Sequence, residues 1–287
     1  MKNIITLLRP HQYVKNIFIF APLVFAFNFS QDAFLNAGIA FVLFSLLASS
    51  IYIFNDYMDI EEDKKHPSKK KRPLASGAIS KKTAQLLFSI LSITVLVLAF
   101  IFSLPLFFVL AVYFLLNIVY SLKLKHIAIV DIFIISTGFV LRLFAGSLVT
   151  DTPLSMWIII ITFLLAIFLA LAKRRDDVLL SLAGKETRKN IDGYNLEFVN
   201  AAMVLMAGVV IVSYLQYTVS AEVISRIGSE HLFLTTFFVI LAIFRYMQIT
   251  FVEEKSSSPT KIVLGDRFMQ ISILLWLLSF VAVVKFI

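Results

Sequence analysis

Nine long apolar runs, separated by short polar segments, dominate the sequence. Each approaches the length that a helix needs to cross a bilayer, which is about 20 residues. The runs lie at approximately residues 14–29, 33–54, 84–103, 106–121, 127–149, 154–172, 200–220, 232–250 and 268–287. The sequence therefore predicts an all-α, polytopic membrane protein with nine transmembrane helices.

Composition agrees with this prediction and restricts the chemistry. Of the 287 residues, 60% are hydrophobic and 15% are charged, which excludes an ordinary soluble domain. The 29 Phe residues against 9 Gly and 7 Pro exclude disorder and fibrous repeats. The absence of Cys excludes disulfides, thiolate metal sites and cysteine nucleophiles. Carboxylates, amides and amines remain to perform any reaction.

The polar segments are short, so we expect a single integral membrane domain over residues 1–287. Residues 1–13 are expected to form an interfacial helix. The runs contain no regular polar lining of the kind that an aqueous channel needs, so we expect the chemistry at the helix ends and in three active-site loops. These loops are predicted at about residues 55–83, 121–131 and 173–199.

The distribution of basic residues predicts the orientation of the protein in the membrane. With nine spans, all of the 26 Lys and Arg residues fall on the side of the N-terminus except Arg142, Arg226, Arg245 and Lys285. Cytoplasmic loops carry an excess of Lys and Arg. We therefore expect a multi-pass protein of the cell (inner) membrane, with its N-terminus cytoplasmic and its C-terminus external.

An acidic motif follows the second run. If the helix continues, Asn55, Asp59 and Asp63 stack at intervals of four residues, and Asp56 joins the same face. Three converging carboxylates repel one another unless a cation neutralises them, and Mg²⁺ is favoured where diphosphate oxygens complete its ligands. Asp56, Asp59 and Asp63 are thus candidate metal ligands. A solvated acidic loop, neutralised by the following lysines, is the alternative.

A basic segment continues the same loop. The lysines before Arg72 are typical of a positive-inside signal or an anionic-lipid contact. Arg72 differs because Pro73 and Gly77 bracket it in a turn that could fix its guanidinium for bidentate phosphate binding.

These motifs resemble a known family. The pattern Asn55-Asp56-x-x-Asp59-x-x-x-Asp63, followed by Arg72-Pro73-Leu74-Ala75-Ser76-Gly77, is similar to the first aspartate-rich motif of the UbiA family of intramembrane prenyltransferases. The resemblance implies a UbiA-type bundle of nine helices with cytoplasmic active-site loops. It also implies Mg²⁺, held by two aspartate-rich motifs, that binds a prenyl diphosphate.

The second motif departs from that family pattern. Where the family has Asp-x-x-x-Asp after the sixth span, this chain reads Lys173-Arg174-Arg175-Asp176-Asp177. An ammonium group cannot bind a metal, so Lys173 weakens the case for a second metal. Adjacent cations suit additional phosphate, although a positive-inside cluster at a helix end would look the same.

Further segments resemble one branch of the family, the decaprenyl-phosphate phosphoribosyltransferases. They are residues 9–16, 120–131, 138–142 and 172–175. The resemblance implies transfer of 5-phosphoribosyl from phosphoribosyl diphosphate to a polyprenyl phosphate, with release of diphosphate. The runner-up is a prenyltransferase that moves a prenyl group from a prenyl diphosphate to an aromatic or quinone-precursor acceptor. A transporter would need broken, polar helices, which are not evident.

Charge balance gives the phosphoribosyl branch independent support. Two substrates with several phosphates between them need more cations than a prenyl diphosphate with a neutral acceptor. The candidate substrate-binding residues are Lys15, Asn55, Arg72, Tyr120, Lys125, Lys173 and Arg174.

The acceptor phosphate is already an anion, so no strong general base is required. Asp131 and Asp177 are the candidate catalytic carboxylates, which would stabilise positive charge on the ribose ring. A structural pairing of Asp131 with Lys125 is the alternative. Arg142, deeper in its span, is assigned no chemistry. We expect a membrane and lipid environment and no nucleic-acid partner, and the sequence is compatible with an oligomer.

Overall fold

The computed structural model describes residues 2–65, 69–184, 189–254 and 259–286. Within these ranges every regular element is a helix, which confirms the all-α prediction. Parts of two predicted loops, residues 66–68 and 185–188, lie outside the described residues. The α-helices are α1 Lys2–Leu8, α2 Ala21–Ala26, α3 Gln31–Met58, α4 Ile60–Lys65, α5 Lys81–Phe102, α6 Leu104–Leu122, α7 Val130–Thr150, α8 Met156–Leu182, α9 Leu196–Val219, α10 Ala221–Ile227, α11 Thr236–Phe251, α12 Pro259–Gly265 and α13 Arg267–Phe286.

Eight helices of the described chain are long and apolar enough to cross a membrane, by length and composition. Seven are α3, α5, α6, α7, α8, α9 and α13. The eighth, His231–Phe251, begins with a 3₁₀ turn and continues as α11. These helices correspond to eight of the nine predicted spans.

The first predicted span, residues 14–29, has a different form. A 3₁₀ helix, Pro10–Phe20, runs directly into α2. Because a 3₁₀ helix rises about 2.0 Å per residue, the two helices together extend about 31 Å, which is close to the thickness of the hydrocarbon core. A ninth crossing by this segment stays a prediction.

Gly146 allows the 3₁₀ helix to lie against α7. A Cβ atom at Gly146 would meet the carbonyl oxygen of Ile19 at 1.9 Å, well inside van der Waals contact. Small residues permit this kind of close backbone approach between membrane helices. The position of the 3₁₀ helix thus depends on a glycine in α7.

We expect Gly146→Ala to lower the free energy of unfolding of the detergent-solubilised protein by about 1–3 kcal/mol, because the backbone at Ile19 must move. The melting temperature should fall accordingly. Gly208→Ala is the matched control, since a Cβ atom there has no neighbour within 4 Å. Equal melting temperatures for the two variants would contradict the close approach.

The chain forms two compact units. The first comprises residues 1–155 and 184–190, and the second comprises 156–183 and 191–287. In the first unit, α3 is the central helix, with a core that includes Phe44, Leu47 and Leu110. In the second unit, α8 packs along α9, and the indole of Trp276 in α13 donates a hydrogen bond to Tyr214.

One helix boundary agrees with the apolar runs and another differs from them. Ser103 ends α5 and its hydroxyl caps α6, so the runs at 84–103 and 106–121 form two separate helices, as predicted. Helix α8 continues to Leu182, although its apolar run ends at Ala172. The residues from 173 to 182 that were predicted to lie in a loop are therefore helical.

Candidate active site

Three carboxylates lie around the junction of α3 and α4. Helix α3 ends at Met58, Asp59 follows, and the Asp63 backbone N–H donates to the Asp59 carbonyl at 2.8 Å, so the chain stays helical across the junction. Asp56 and Asp63 are buried, whereas Asp59 is partly exposed. The continued helix assumed from the sequence is thus present with only a local break.

Arg72 connects two of these carboxylates. Its Nη1 donates to Asp56 Oδ1 at 3.0 Å and to Asp63 Oδ2 at 2.6 Å. The segment around it turns tightly: Ser76 N–H donates to the Arg72 carbonyl, and Gly77 has a φ of 77°, which favours glycine. The predicted turn therefore fixes the guanidinium beside the acidic motif.

A second arginine reaches the same carboxylate from the N-terminal segment. Arg9 Nη2 donates to Asp56 Oδ1 at 2.5 Å, and its guanidinium lies 5.2 Å from the centroid of the Tyr52 ring. The backbone of Arg9 has a φ of 53°, an uncommon conformation for a residue with a side chain. Arg9 was not among the predicted site residues, although it begins the segment 9–16 that resembles the phosphoribosyltransferase branch.

Asp59 has its own set of partners. The ammonium group of Lys125 forms an ion pair with Asp59 Oδ1. Asn55 Nδ2 donates to Asp59 Oδ2 at 3.1 Å, and Asn55 Oδ1 accepts from the Ser121 hydroxyl at 3.3 Å. The structure thus brings together Asn55, Lys125 and Asp59, three residues from the predicted site.

Cations balance the charge of the three carboxylates, because Arg9, Arg72 and Lys125 all form ion pairs with them. Burial raises the pKa of the Asp63 carboxyl above its usual range, against the opposing effect of the Arg72 guanidinium. In the described ranges no three His, Cys, Asp or Glu side chains form a group that could hold a metal by themselves. A metal at Asp56, Asp59 and Asp63 would therefore need further ligand oxygens from a bound diphosphate or from water, and the assignment of these carboxylates as ligands stays a prediction.

Three further predicted residues lie in helices of the same unit. Asp131 is fully buried in the first turn of α7, and Tyr120 is partly buried in the last turn of α6. Lys15 is partly buried in the 3₁₀ helix. The roles of all three stay predictions.

In the second unit, the cationic motif lies within α8. Arg174 is buried and forms an ion pair with Asp177 within the same helix. Arg175 donates to the Asn200 side chain at 3.0 Å and to the Thr250 carbonyl at 2.7 Å. Lys173 is partly buried. The predicted residues Arg174 and Asp177 are therefore each other's partners, and Arg175 connects α8 to α9 and α11.

Comparison with known proteins identifies the family. The model of the UbiA prenyltransferase family matches residues 16–274. The chain belongs to this family. It is 30% identical to the decaprenyl-phosphate phosphoribosyltransferase of Mycolicibacterium smegmatis, over 100% of this chain and 93% of that protein. A protein of the same name from Corynebacterium glutamicum is also 30% identical, over 98% of this chain and 86% of that protein.

Solved structures of the UbiA family share the fold. A UbiA homologue from Archaeoglobus fulgidus, bound to DMAPP and Mg²⁺, superposes with a TM-score of 0.71, over 99% of this chain and 100% of that one. The two sequences are 18% identical, so this similarity concerns the fold alone. Its agreement with the helical architecture confirms the predicted UbiA-type bundle.

Proposed function

We propose that this UbiA-family protein transfers the 5-phosphoribosyl group of phosphoribosyl diphosphate to a polyprenyl phosphate and releases diphosphate. The observation that supports this proposal best is the set of cations around the acidic motif. Arg9 and Lys125 each form an ion pair with one of its carboxylates, and Arg72 forms ion pairs with two of them. The name of relatives at 30% identity, decaprenyl-phosphate phosphoribosyltransferase, supports the polyprenyl phosphate acceptor and the phosphoribosyl group.

The acidic motif would hold the donor. Asp56, Asp59 and Asp63 would hold Mg²⁺, and the ion would supply positive charge for a departing diphosphate. Arg9, Arg72 and Lys125 would move from the carboxylates to phosphate oxygens, where charge-assisted hydrogen bonds are strong. Asn55 would keep Asp59 in position through its amide hydrogen bond.

The reaction exchanges one bond at the anomeric carbon. The bond to the diphosphate oxygen breaks, and its electron pair leaves with the diphosphate. An oxygen of the lipid phosphate forms the new bond, so no proton has to be removed from the nucleophile. Asp131 would stabilise the positive charge that develops on the ribose ring.

The decisive experiment supplies both substrates to purified protein. Label from phosphoribosyl diphosphate should enter the lipid extract only when a polyprenyl phosphate and Mg²⁺ are present, and EDTA should abolish the transfer. Transfer of a prenyl group from a prenyl diphosphate to an aromatic acid, with no transfer of phosphoribosyl, would instead support the prenyltransferase alternative.

We further propose that the acidic motif faces the cytoplasm of the cell (inner) membrane, with the C-terminus external. The basic residues that border the motif support this orientation. A reporter fused after Ile287 should therefore be active outside the cytoplasm, and one inserted between Lys81 and Lys82 should be active inside it. A C-terminal reporter active only in the cytoplasm would contradict the nine-crossing topology.

A further inference from the structure

Arg142 is a buried cation in the middle of α7. Its Nε donates to Asn16 Oδ1 at 2.8 Å, its Nη1 to the Gly138 carbonyl at 2.6 Å and its Nη2 to the Tyr113 hydroxyl at 3.2 Å. All three acceptors are neutral. Among the described residues no carboxylate forms an ion pair with Arg142.

A second cation lies beside it. Lys15 is close enough to both Arg142 and Arg9 for electrostatic repulsion. No described residue forms a hydrogen bond or an ion pair with the Lys15 ammonium group. Two like charges therefore share one region of the first unit without an anion between them.

This arrangement is costly as it stands. Ionised groups in membrane helices almost always pair with another charge or line a site, because desolvation is expensive. Arg245 in α11 shows the ordinary solution, with ion pairs to Asp266 at 2.7 Å and Glu253 at 2.9 Å. Lys15 and Arg142 have no such partner in the described chain, so an external anion would complete the cluster.

The surroundings indicate which anion fits. The Arg142 guanidinium lies 4.7–5.3 Å from the ring centroids of Phe44, Tyr113 and Phe139. Arg142 follows Asp131 by eleven positions in α7, which corresponds to about 16 Å along the helix axis. Asn16, the partner of Arg142, also donates to Ser45 Oγ at 2.8 Å, and Ser45 precedes Asp56 of the acidic motif by eleven positions in α3. The cluster is therefore deeper among the helices than the acidic motif and is walled by aromatic rings. An anion attached to an apolar chain suits this position better than a free sugar phosphate.

Arg9 connects the cluster to the donor site. It lies within electrostatic range of Lys15 and forms an ion pair with Asp56 of the acidic motif. An anion held at Lys15 would thus be attracted by two arginines. Arg142 lies on the apolar side, and Arg9 lies on the side where the donor is proposed to bind.

We propose that Lys15, Asn16, Tyr113 and Arg142 form a binding site for a phosphate monoester, and that this phosphate belongs to the lipid acceptor. Lys15 would supply an ammonium group and Arg142 its remaining N–H donors. Tyr113 already accepts a hydrogen bond from Arg142, so its O–H can donate to the phosphate. The assignment to the acceptor rests on the proposed function, whereas binding of a lipid phosphate can be measured without turnover.

The test measures binding to purified protein in detergent by thermal shift, with three probes. Farnesyl phosphate represents the lipid phosphate, farnesol lacks the phosphate, and ribose 5-phosphate represents the sugar phosphate of the donor. We expect only farnesyl phosphate to bind to the cluster. Arg142→Met and Lys15→Met should each weaken its affinity by about 10- to 100-fold, the loss expected for a charge-assisted hydrogen bond.

Arg245→Met is the matched control, because it removes an arginine from a membrane helix outside this cluster; its affinity for farnesyl phosphate should stay as in the wild type. If Arg142→Met does not fold, Lys15→Met decides the matter, since no hydrogen bond of its ammonium group holds the fold together.

Three results would overturn the proposal. The first is that farnesyl phosphate shows no phosphate-dependent binding to the wild type. The second is that both variants keep the wild-type affinity, and the third is that ribose 5-phosphate binds instead, in a manner that depends on Arg142.

Measurements of turnover separate this proposal from the proposed function. Normal phosphoribosyl transfer with unchanged farnesyl phosphate affinity in the variants would refute the site alone. Arg142-dependent lipid phosphate binding without phosphoribosyl transfer would refute the function alone.

Discussion

Replacing Asp59 or Asp63 with Asn should lower turnover about 100-fold or more while the protein stays folded in the membrane. Each change removes one negative charge and retains the size of the side chain. In the free protein Asp59 pairs with Lys125, and Asp63 pairs with Arg72, which also contacts Asp56. Arg72 therefore keeps a carboxylate partner in Asp63→Asn, and the local fold should survive.

We expect turnover to fall because of weaker interactions with bound Mg²⁺ and diphosphate, and not because of a change in the fold. Without one carboxylate, the motif would hold Mg²⁺ more weakly, and the departing diphosphate would be less well neutralised. Raising the Mg²⁺ concentration should recover part of the activity of either variant. Initial rates measured across a Mg²⁺ titration would show this dependence.

Glu61→Gln provides the control for this pair of variants. Glu61 is exposed on α4 and forms an ion pair with the nearby Lys64, so the same type of substitution there should have little effect. Wild-type activity and unchanged Mg²⁺ dependence in both aspartate variants would refute the assignment of these carboxylates as ligands.

The acidic face could be predicted because it depends on local geometry. Asn55, Asp59 and Asp63 share a face through the helical period alone, and the structure retains that period through the break at Asp59. The turn at Arg72 could also be predicted from the sequence, since Pro73 and Gly77 mark it.

Contacts between distant segments could not be predicted in the same way. The ion pair between Arg9 and Asp56 joins residues 47 positions apart, and the hydrogen bond between Arg142 and Asn16 joins residues 126 positions apart. No periodicity links such positions. Arg142 was given no chemistry because a single charge in an apolar run does not reveal whether a partner lies on another helix.

Helix α8 shows a different limit of sequence reasoning. The predicted span ended at Ala172 because five charged residues follow it directly. The helix itself continues to Leu182, because Lys, Arg and Leu are good helix formers and no Gly or Pro interrupts them. The cationic motif therefore lies on a helix, where Arg174 binds Asp177 and Arg175 binds Asn200.

Lys173 is the position at which the two candidate functions predict opposite results. It stands where the family pattern has the first Asp of its second motif. If the donor is phosphoribosyl diphosphate, Lys173→Asp should weaken its binding by about one to two decades in affinity, because a charge-assisted phosphate contact is worth about 1.5–3 kcal/mol. Repulsion between the new carboxylate and the donor would add to this loss.

The measurement compares the affinity of the wild type and of Lys173→Asp for phosphoribosyl diphosphate. Lys261→Asp, an equal change of charge at an exposed position in α12, should leave that affinity unchanged. A prenyltransferase would respond in the opposite sense, because Asp at position 173 restores the metal-binding pattern of the family and should increase transfer from a prenyl diphosphate. A gain of prenyl transfer in Lys173→Asp, without loss of phosphoribosyl diphosphate binding, would therefore refute the proposed donor.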